Sequence, residues 1–489
     1  MVSKILFYDL NQFTAKSNIK INYSPIQEEG IVLTNTELYE GCDNNYYTFI
    51  QDPNDSNIVF ACYRSSKTND YKDIITGKTC IALSNDGGLT FEKILNEENN
   101  NIILKDKCIC YNFTPFYDPI DEQIKGIGGN QVNMYNADNI NPMIKEEHVK
   151  DIILSVPYEM KTGEMGIKTK KLQIPNILTE FESNGIYLYE CTNNYFGWDR
   201  LIDRPIIHGL SKGQTDKVDG YTKFDSSISI FYHPFHQKYF FYVKSDIGKC
   251  HTFFQYTSSD NLLDWEEFKL INLDPYPVKK RSYQDNDNYY YSNINPYPNS
   301  KFFIGFPAYF NYRAWKSGIY VIISEDGYNF KRLNQTMKTS MNLVNSKMYN
   351  GQLVRKYQPK IFSCNGLIIS NDQTKFYLYL QHNNKDINNM ICPDIIRYSI
   401  RIDGFTSIIC QDDNQTGEFD LSIPSEWNNK TNLYLNFRTL SEGGYIKINQ
   451  VETTINGDDC NYNFSISPMI ENSTIKITIY KAELFSLSA

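Results

Sequence analysis

The 489-residue chain has no apolar run long enough to cross a bilayer, no block of basic residues and no tight grouping of Cys, His and carboxylates. Each absence removes a class of function. A spanning helix needs about 20 consecutive apolar residues, so no membrane span is expected. Lys and Arg number 48 against 57 Asp and Glu, and the formal net charge is -9. That balance excludes the electrostatic footprint of a nucleic-acid partner. The opening stretch MVSKILFYDLNQF has neither the hydrophobic core nor the small-residue cleavage site of a secretory leader. A cytoplasmic protein is expected, or a virion component should the source be viral. Eleven Cys, an odd number, run from Cys42 to Cys460, and the one close pair, Cys108 and Cys110, is spaced too tightly for zinc. Free buried thiols, no metal and no cofactor are the expectation. Helical periodicity is nearly missing as well.

What is present points to sheets. Aromatics make up 15% of the chain, with 38 Tyr and 29 Phe, residues that suit a pleated, half-buried surface. The stretch Leu83 to Phe91, LSNDGGLTF, follows a strand-like run and combines a Ser and an Asp that fold onto backbone amides, two Gly and a closing aromatic. It reads as a hairpin corner. Weaker copies end at Trp198, Trp265 and Phe330, so the corner belongs to a repeated unit. Between corners lie paired strands: Tyr46 to Ile50 with Ile58 to Tyr63, Ser226 to Tyr232 with Lys238 to Lys244, Asn293 to Tyr297 with Lys301 to Phe306, and Leu367 to Ser370 with Lys375 to Gln381.

Strand, turn, strand, strand and corner is the content of one propeller blade. Five units fit from residue 36 to 410, with an insertion at about 130–183. Residues 1–35 read as a lead-in. Residues 411–489 alternate strictly, as in Asn432 to Phe437 and Thr474 to Tyr480, and read as a separate sheet structure with one wet side. The expected fold is all-β: a five-bladed β-propeller followed by a lectin-like C-terminal β-sandwich.

The corners resemble the Asp-boxes of sialidase-type propellers. The order of segments resembles a group of bacterial glycosyl hydrolase-like proteins related to the five-bladed propellers of families 32 and 43. It is carried by Leu38 to Gly41, Asn112 to Asp118 with Gly128-Gly129, Phe224 to Ser226, Tyr291 to Asn293 with Gly305 to Pro307, and Arg397 to Phe405. Lys481 to Ser486 resembles the last strand of their sandwich. The resemblance implies a carbohydrate ligand in a central pocket. The Trp-Met-Asn-Asp, Arg-Asp-Pro and Glu-Cys motifs of family 32 are not found; Arg204-Pro205 has no aspartate between its residues.

Glycoside hydrolysis needs two carboxyl groups, one protonated and one ionised, on either side of the scissile bond. Glu40 precedes the first inner strand and Asp225 begins the third, so these two are the candidate catalytic acids. Asn112, Arg64, Tyr291, Asn293 and His382 are candidate sugar contacts, because amides and aromatic faces suit a ligand that presents hydroxyls and C–H bonds together. Asp86, Asp260 and Asp326 are read as corner scaffold, Asp118 before Pro119 as a turn former, and His233 and His236 as solvent-exposed. Two functions stay open: a glycosidase, or a noncatalytic glycan-binding or structural surface protein, for instance in a virion or coat. A homo-oligomer stays open too.

Overall fold

The computed structural model describes residues 3–40, 45–65, 78–105, 112–130, 135–136, 149–159, 165–175, 185–193, 196–208, 226–247, 251–274, 287–311, 316–341, 343–349, 352–358, 361–385, 391–448, 451–470 and 473–489. Among them the regular elements are strands and three-residue 3-10 turns. The protein is all-β, and its sheets are overwhelmingly antiparallel.

Five sheets follow one another along the chain. The first contains Thr48–Gln51, Val59–Ser65, Lys78–Ser84 and Glu92–Lys93. The second contains Thr114–Asp118, Gln123–Asn130, Gly185–Asn193 and Gly197–Arg200, and the third Ser229–His233, Lys238–Ile247, His251–Ser259 and Lys269–Leu270. The fourth is built on Ile294–Pro296, Phe303–Gly305, Lys316–Ser324 and Asn329–Met341. In the fifth, Ile361–Ser363 and Ile368–Ile369 pair with Lys375–Lys385, which pairs with Ile391–Arg401, and the outer position is taken by Gln27–Thr34 from the start of the chain. Aromatic rings join successive sheets. Phe49 of the first stacks on Tyr379 of the fifth with centroids 3.9 Å apart, and Tyr291 lies 4.8 Å from Phe362.

The Ser-x-Asp corners are closed by their own side chains. Asp86 Oδ1 accepts from the backbone N–H groups of Leu89 and Thr90 at 2.9 and 3.0 Å, and Ser84 Oγ accepts from Gly88 N at 2.8 Å. Asp326 and Ser324 repeat the pattern with Tyr328, Asn329 and Gly327. Both glycines have positive φ, +87° at Gly88 and +74° at Gly327, and in each corner a glycine carbonyl accepts from a tyrosine hydroxyl of another sheet: Tyr379 of the fifth to Gly88 and Tyr242 of the third to Gly327, each at 2.8 Å.

Asp118 also belongs to the scaffold, held by Lys125 Nζ at 2.7 Å and by Tyr239 of the next sheet at 2.8 Å. His233 departs from the sequence expectation. It has no exposed surface, its Nε2 lies 3.1 Å from the Phe302 carbonyl, and the ring packs 4.3 Å from Phe303. A turn position in sequence does not reveal that the neighbouring sheet closes over it; His236 is half-buried, its ring 5.0 Å from Phe303.

Two further antiparallel sheets enclose one apolar core that includes Phe7, Phe419, Trp427, Leu433 and Ile477. Alternation along Thr474–Tyr480 puts Ile475, Ile477 and Ile479 inside, each fully buried. The first residues contribute here as well. Lys4–Leu6 pairs with Ala482–Ser488, Phe13–Ser17 with Gly417–Ser422, and Ile19–Asn22 with Ser407–Cys410. Asp403 joins the two halves, accepting from Lys4 Nζ at 2.9 Å, Tyr297 Oη at 3.1 Å and Ser486 Oγ at 2.6 Å.

Candidate functional site at the mouth of the axial cavity

The first strands of all five sheets line one cavity of about 300 Å³, formed by residues 48–51, 114–117, 228–232, 294–296 and 365–368. Among the described residues no Asp or Glu contributes to this lining. At the end where these strands begin, a polar set ties four of them together. Asn365 Nδ2 donates to Ser227 Oγ at 2.6 Å and to the Ile228 carbonyl at 2.5 Å, and its Oδ1 accepts from Ser229 Oγ at 3.2 Å. Ser229 Oγ in turn lies 3.0 Å from Ser292 Oγ and accepts from Ile294 N at 3.0 Å. The Asn365 backbone donates to Tyr47 O and accepts from Phe49 N. One buried amide therefore links the first, third and fifth sheets. Nothing in its sequence context, Cys364-Asn365-Gly366, distinguishes it from an ordinary turn.

The connections fall unequally on the two ends. At the closed end the sheets turn within a few residues, as at 119–122, 234–237, 325–328 and 371–374. The strand ends that border the longer intervals, Ser65 and Lys78, Asn130 and Gly185, His208 and Ser229, and Met341 and Ile361, lie at the end where the first strands begin.

Arg64 and Tyr291 come together at that end. The Arg64 guanidinium carbon lies 4.5 Å from the Tyr46 ring centroid, Tyr46 meets Tyr291 edge-on at 5.4 Å, and Tyr291 continues onto Phe362. All four side chains are buried, so the cation over a ring face and the run of aromatic edges make a firm support behind that end. Asn112 closes the same end of the second sheet, its Oδ1 accepting from Gly129 N at 3.3 Å. Asn293, at φ +37°, accepts from Asn295 Nδ2 at 3.0 Å and so shapes the entry of the fourth sheet's first strand. His382 sits at the end of the fifth sheet's second strand, with Nε2 3.1 Å from Tyr398 Oη. The Tyr398 hydroxyl donates to Glu28 at 2.8 Å. Burial and the Glu28 carboxylate push the Tyr398 hydroxyl well above its usual range.

Glu40 is tied to Arg64 through Asn45, whose Nδ2 donates to both backbone carbonyls, at 3.0 and 2.7 Å. The Glu40 carboxylate has no exposed surface; Oε1 accepts from Tyr63 Oη at 2.5 Å, and Oε2 from Lys93 Nζ at 2.7 Å and Glu37 N at 2.8 Å. Tyr63 also receives Asn101 Nδ2 at 2.8 Å, and its burial beside Glu40 pushes the hydroxyl up strongly. The carboxylate is thus enclosed by the first sheet and a lysine from its short strand Glu92–Lys93. Asp225 lies outside the described residues. The described residues consequently do not assemble two opposed carboxyl groups at the cavity.

No protein-family model matches the chain, and no curated protein matches it. Among solved structures, an N-acetylgalactosamine deacetylase from F. plautii in complex with blood group B trisaccharide covers 79% of this chain and 96% of its own, at 12% identity and a TM-score of 0.42. The family 93 α-L-arabinofuranosidase of Fusarium graminearum with arabinobiose covers 76% and 98%, at 10% identity and a TM-score of 0.38. The catalytic domain of the family 62 α-L-arabinofuranosidase of Coprinopsis cinerea covers 77% and 97%, at 8% identity and a TM-score of 0.39. Likeness at this level assigns neither activity nor substrate.

Proposed function

We propose that the chain is a five-bladed β-propeller with Asp-box-type corners and a C-terminal β-sandwich, and that it binds a carbohydrate at the mouth of the propeller axis. The observation that carries this reading is the convergence of five first strands on one cavity, with the strand ends that border the longer intervals at one end of it and tight turns at the other. Binding sites concentrate on loops held by a rigid scaffold, and a concave mouth with a few directed polar groups is the expected place for a small ligand. Arg64, Tyr291, Asn293, Asn112 and His382 are all nearly buried, and we assign them to the support that shapes this mouth.

Of the two functions, noncatalytic binding has the better geometric support. It rests on the enclosure of Glu40, which we assign to the scaffold as counter-ion to Lys93 and not to catalysis. Hydrolysis is the second reading. It requires Asp225 and a partner acid about 5 to 10 Å across the mouth. A screen of chromogenic glycosides with wild type and Asp225→Asn separates the two: turnover abolished by the substitution, with the melting temperature kept, establishes a glycosidase. Glycan binding without turnover, weakened at least tenfold by Tyr291→Ala, establishes the binding protein. Neither turnover nor glycan binding refutes the assignment of a sugar site to the mouth.

A further inference from the structure

A second recess, of about 960 Å³, opens at the opposite end of the molecule, between the closed-end turns of the fourth and fifth sheets and the C-terminal pair of sheets. Its volume falls within the ~300–1,000 Å³ of small-molecule sites, which favour junctions between structural units. The wall is made of short turns fixed by their own hydrogen bonds. Asp372 Oδ1 accepts from Ser370 Oγ at 2.6 Å and Thr374 N at 3.1 Å, and Asp459 Oδ1 accepts from Asn461 N at 2.8 Å. Asn299 and Gln373 hold φ of +54° and +56°, which sets their side-chain directions by the turn.

Hydrogen-bonding capacity is left over on this wall. The side chains of Asn299, Gln373, Asn461 and Tyr434 make no hydrogen bond with a described residue, although all four line the recess. Carboxamides donate and accept, carboxylates accept, and the half-buried Tyr434 ring offers a face to C–H bonds. Alternating hydroxyls and C–H faces are the surface of a saccharide. The charge of the wall selects among saccharides. Of its four aspartates, Asp403 is paired with Lys4 at 2.9 Å and Asp458 with Arg401 at 2.6 Å. Asp372 and Asp459 form no ion pair with a described residue; the hydroxyl and amide donors on Asp372, with a smaller pull from Lys375, hold its carboxyl below the usual range. A uronic acid or sulfated sugar would meet two unpaired negative charges. A metal ion fits poorly, since Lys4 and Arg401 already neutralise half of the carboxylates and no group of three metal-ligating side chains exists among the described residues.

We propose that this recess is a second carbohydrate site, selective for a neutral oligosaccharide and separate from the axial mouth. It does not depend on the mouth being a sugar site. Oligosaccharides of arabinan, galactan and xylan, with oligogalacturonate as the acidic probe, are titrated into the full chain by saturation-transfer NMR. At least one neutral probe is expected to bind, to lose tenfold or more in affinity in both Tyr434→Ala and Asp459→Ala, and to bind Tyr291→Ala as it binds wild type. Asn461→Ala, at an exposed position whose side chain makes no hydrogen bond with a described residue, repeats the test should either variant lose its fold. Absence of neutral-probe binding, binding insensitive to these substitutions, or a preference for oligogalacturonate overturns the proposal.

Discussion

At the scale of single residues, burial and pairing mark the groups that build the fold. Glu40 and Lys93 form a nearly buried pair, with side chains 0% and 17% exposed. Removing the lysine leaves an uncompensated charge inside, which typically costs about 3 kcal/mol or more. Lys93→Met is therefore expected to lower the denaturation midpoint of urea unfolding sharply, while Glu40→Gln keeps whatever glycan affinity the wild type has. A glycan affinity lost in Glu40→Gln at full stability would return that residue to the site. His233 gives a pH signature. Burial, together with the neighbouring His236, pulls its pKa from 6.5 to about 4, against the opposing pull of the Phe302 carbonyl. The unfolded chain then binds the proton more readily than the folded one, so stability is full above pH 6.5 and declines as the pH falls toward 4, by about 3 kcal/mol at most. Thermal melts between pH 4 and 7 should show this slope, and His233→Phe should flatten it.

At the scale of elements, the sequence carried the strands because their signal is local. Thr474 to Tyr480 alternates residue by residue, and Ser84 to Thr90 places each capping atom within four positions of the group it caps. Partners distant in sequence left no such trace. Asn365 reaches Ser227 across 138 positions, and Tyr379 reaches Gly88 across 291. The candidate contacts Arg64 and Tyr291 were legible as polar or aromatic ends of strands, whereas the enclosure of Glu40 depends on Lys93 and Tyr63 folding over it. The corners allow a sharp test. A Cβ on Gly88 would lie 2.1 Å from Tyr379 Oη, and one on Gly327 2.7 Å from Tyr242 Oη, both at positive φ. Each Gly→Ala substitution is expected to cost about 2 kcal/mol through strain and displacement of the tyrosine. Adding Tyr379→Phe to Gly88→Ala should recover part of the loss in calorimetric melting.

At the scale of the whole molecule, the chain ends hold the architecture together. Residues 1–35, which read as a lead-in, supply three strands to the C-terminal sheets and the outer strand of the fifth sheet. Their pairing could not be inferred from the sequence, because each short run is strand-like without naming its partner some 400 positions away. Deleting residues 1–24 removes Phe7, Phe13 and Ile19 from a shared core and strips the edges of both sheets. The truncated chain is expected to lose cooperative melting or to aggregate, and recovery of a soluble protein with the wild-type melting temperature would show that these strands are dispensable.

The seam between Gln27–Thr34 and Ile391–Arg401 also sets a timetable. A ribosome adding about 5 to 20 residues per second releases the earlier strand roughly 20 to 70 s before its mate. For that interval the newborn polypeptide carries an unsatisfied strand and three detached flaps of a distant core. Pairing across this seam must therefore wait until about four fifths of the polypeptide has been made.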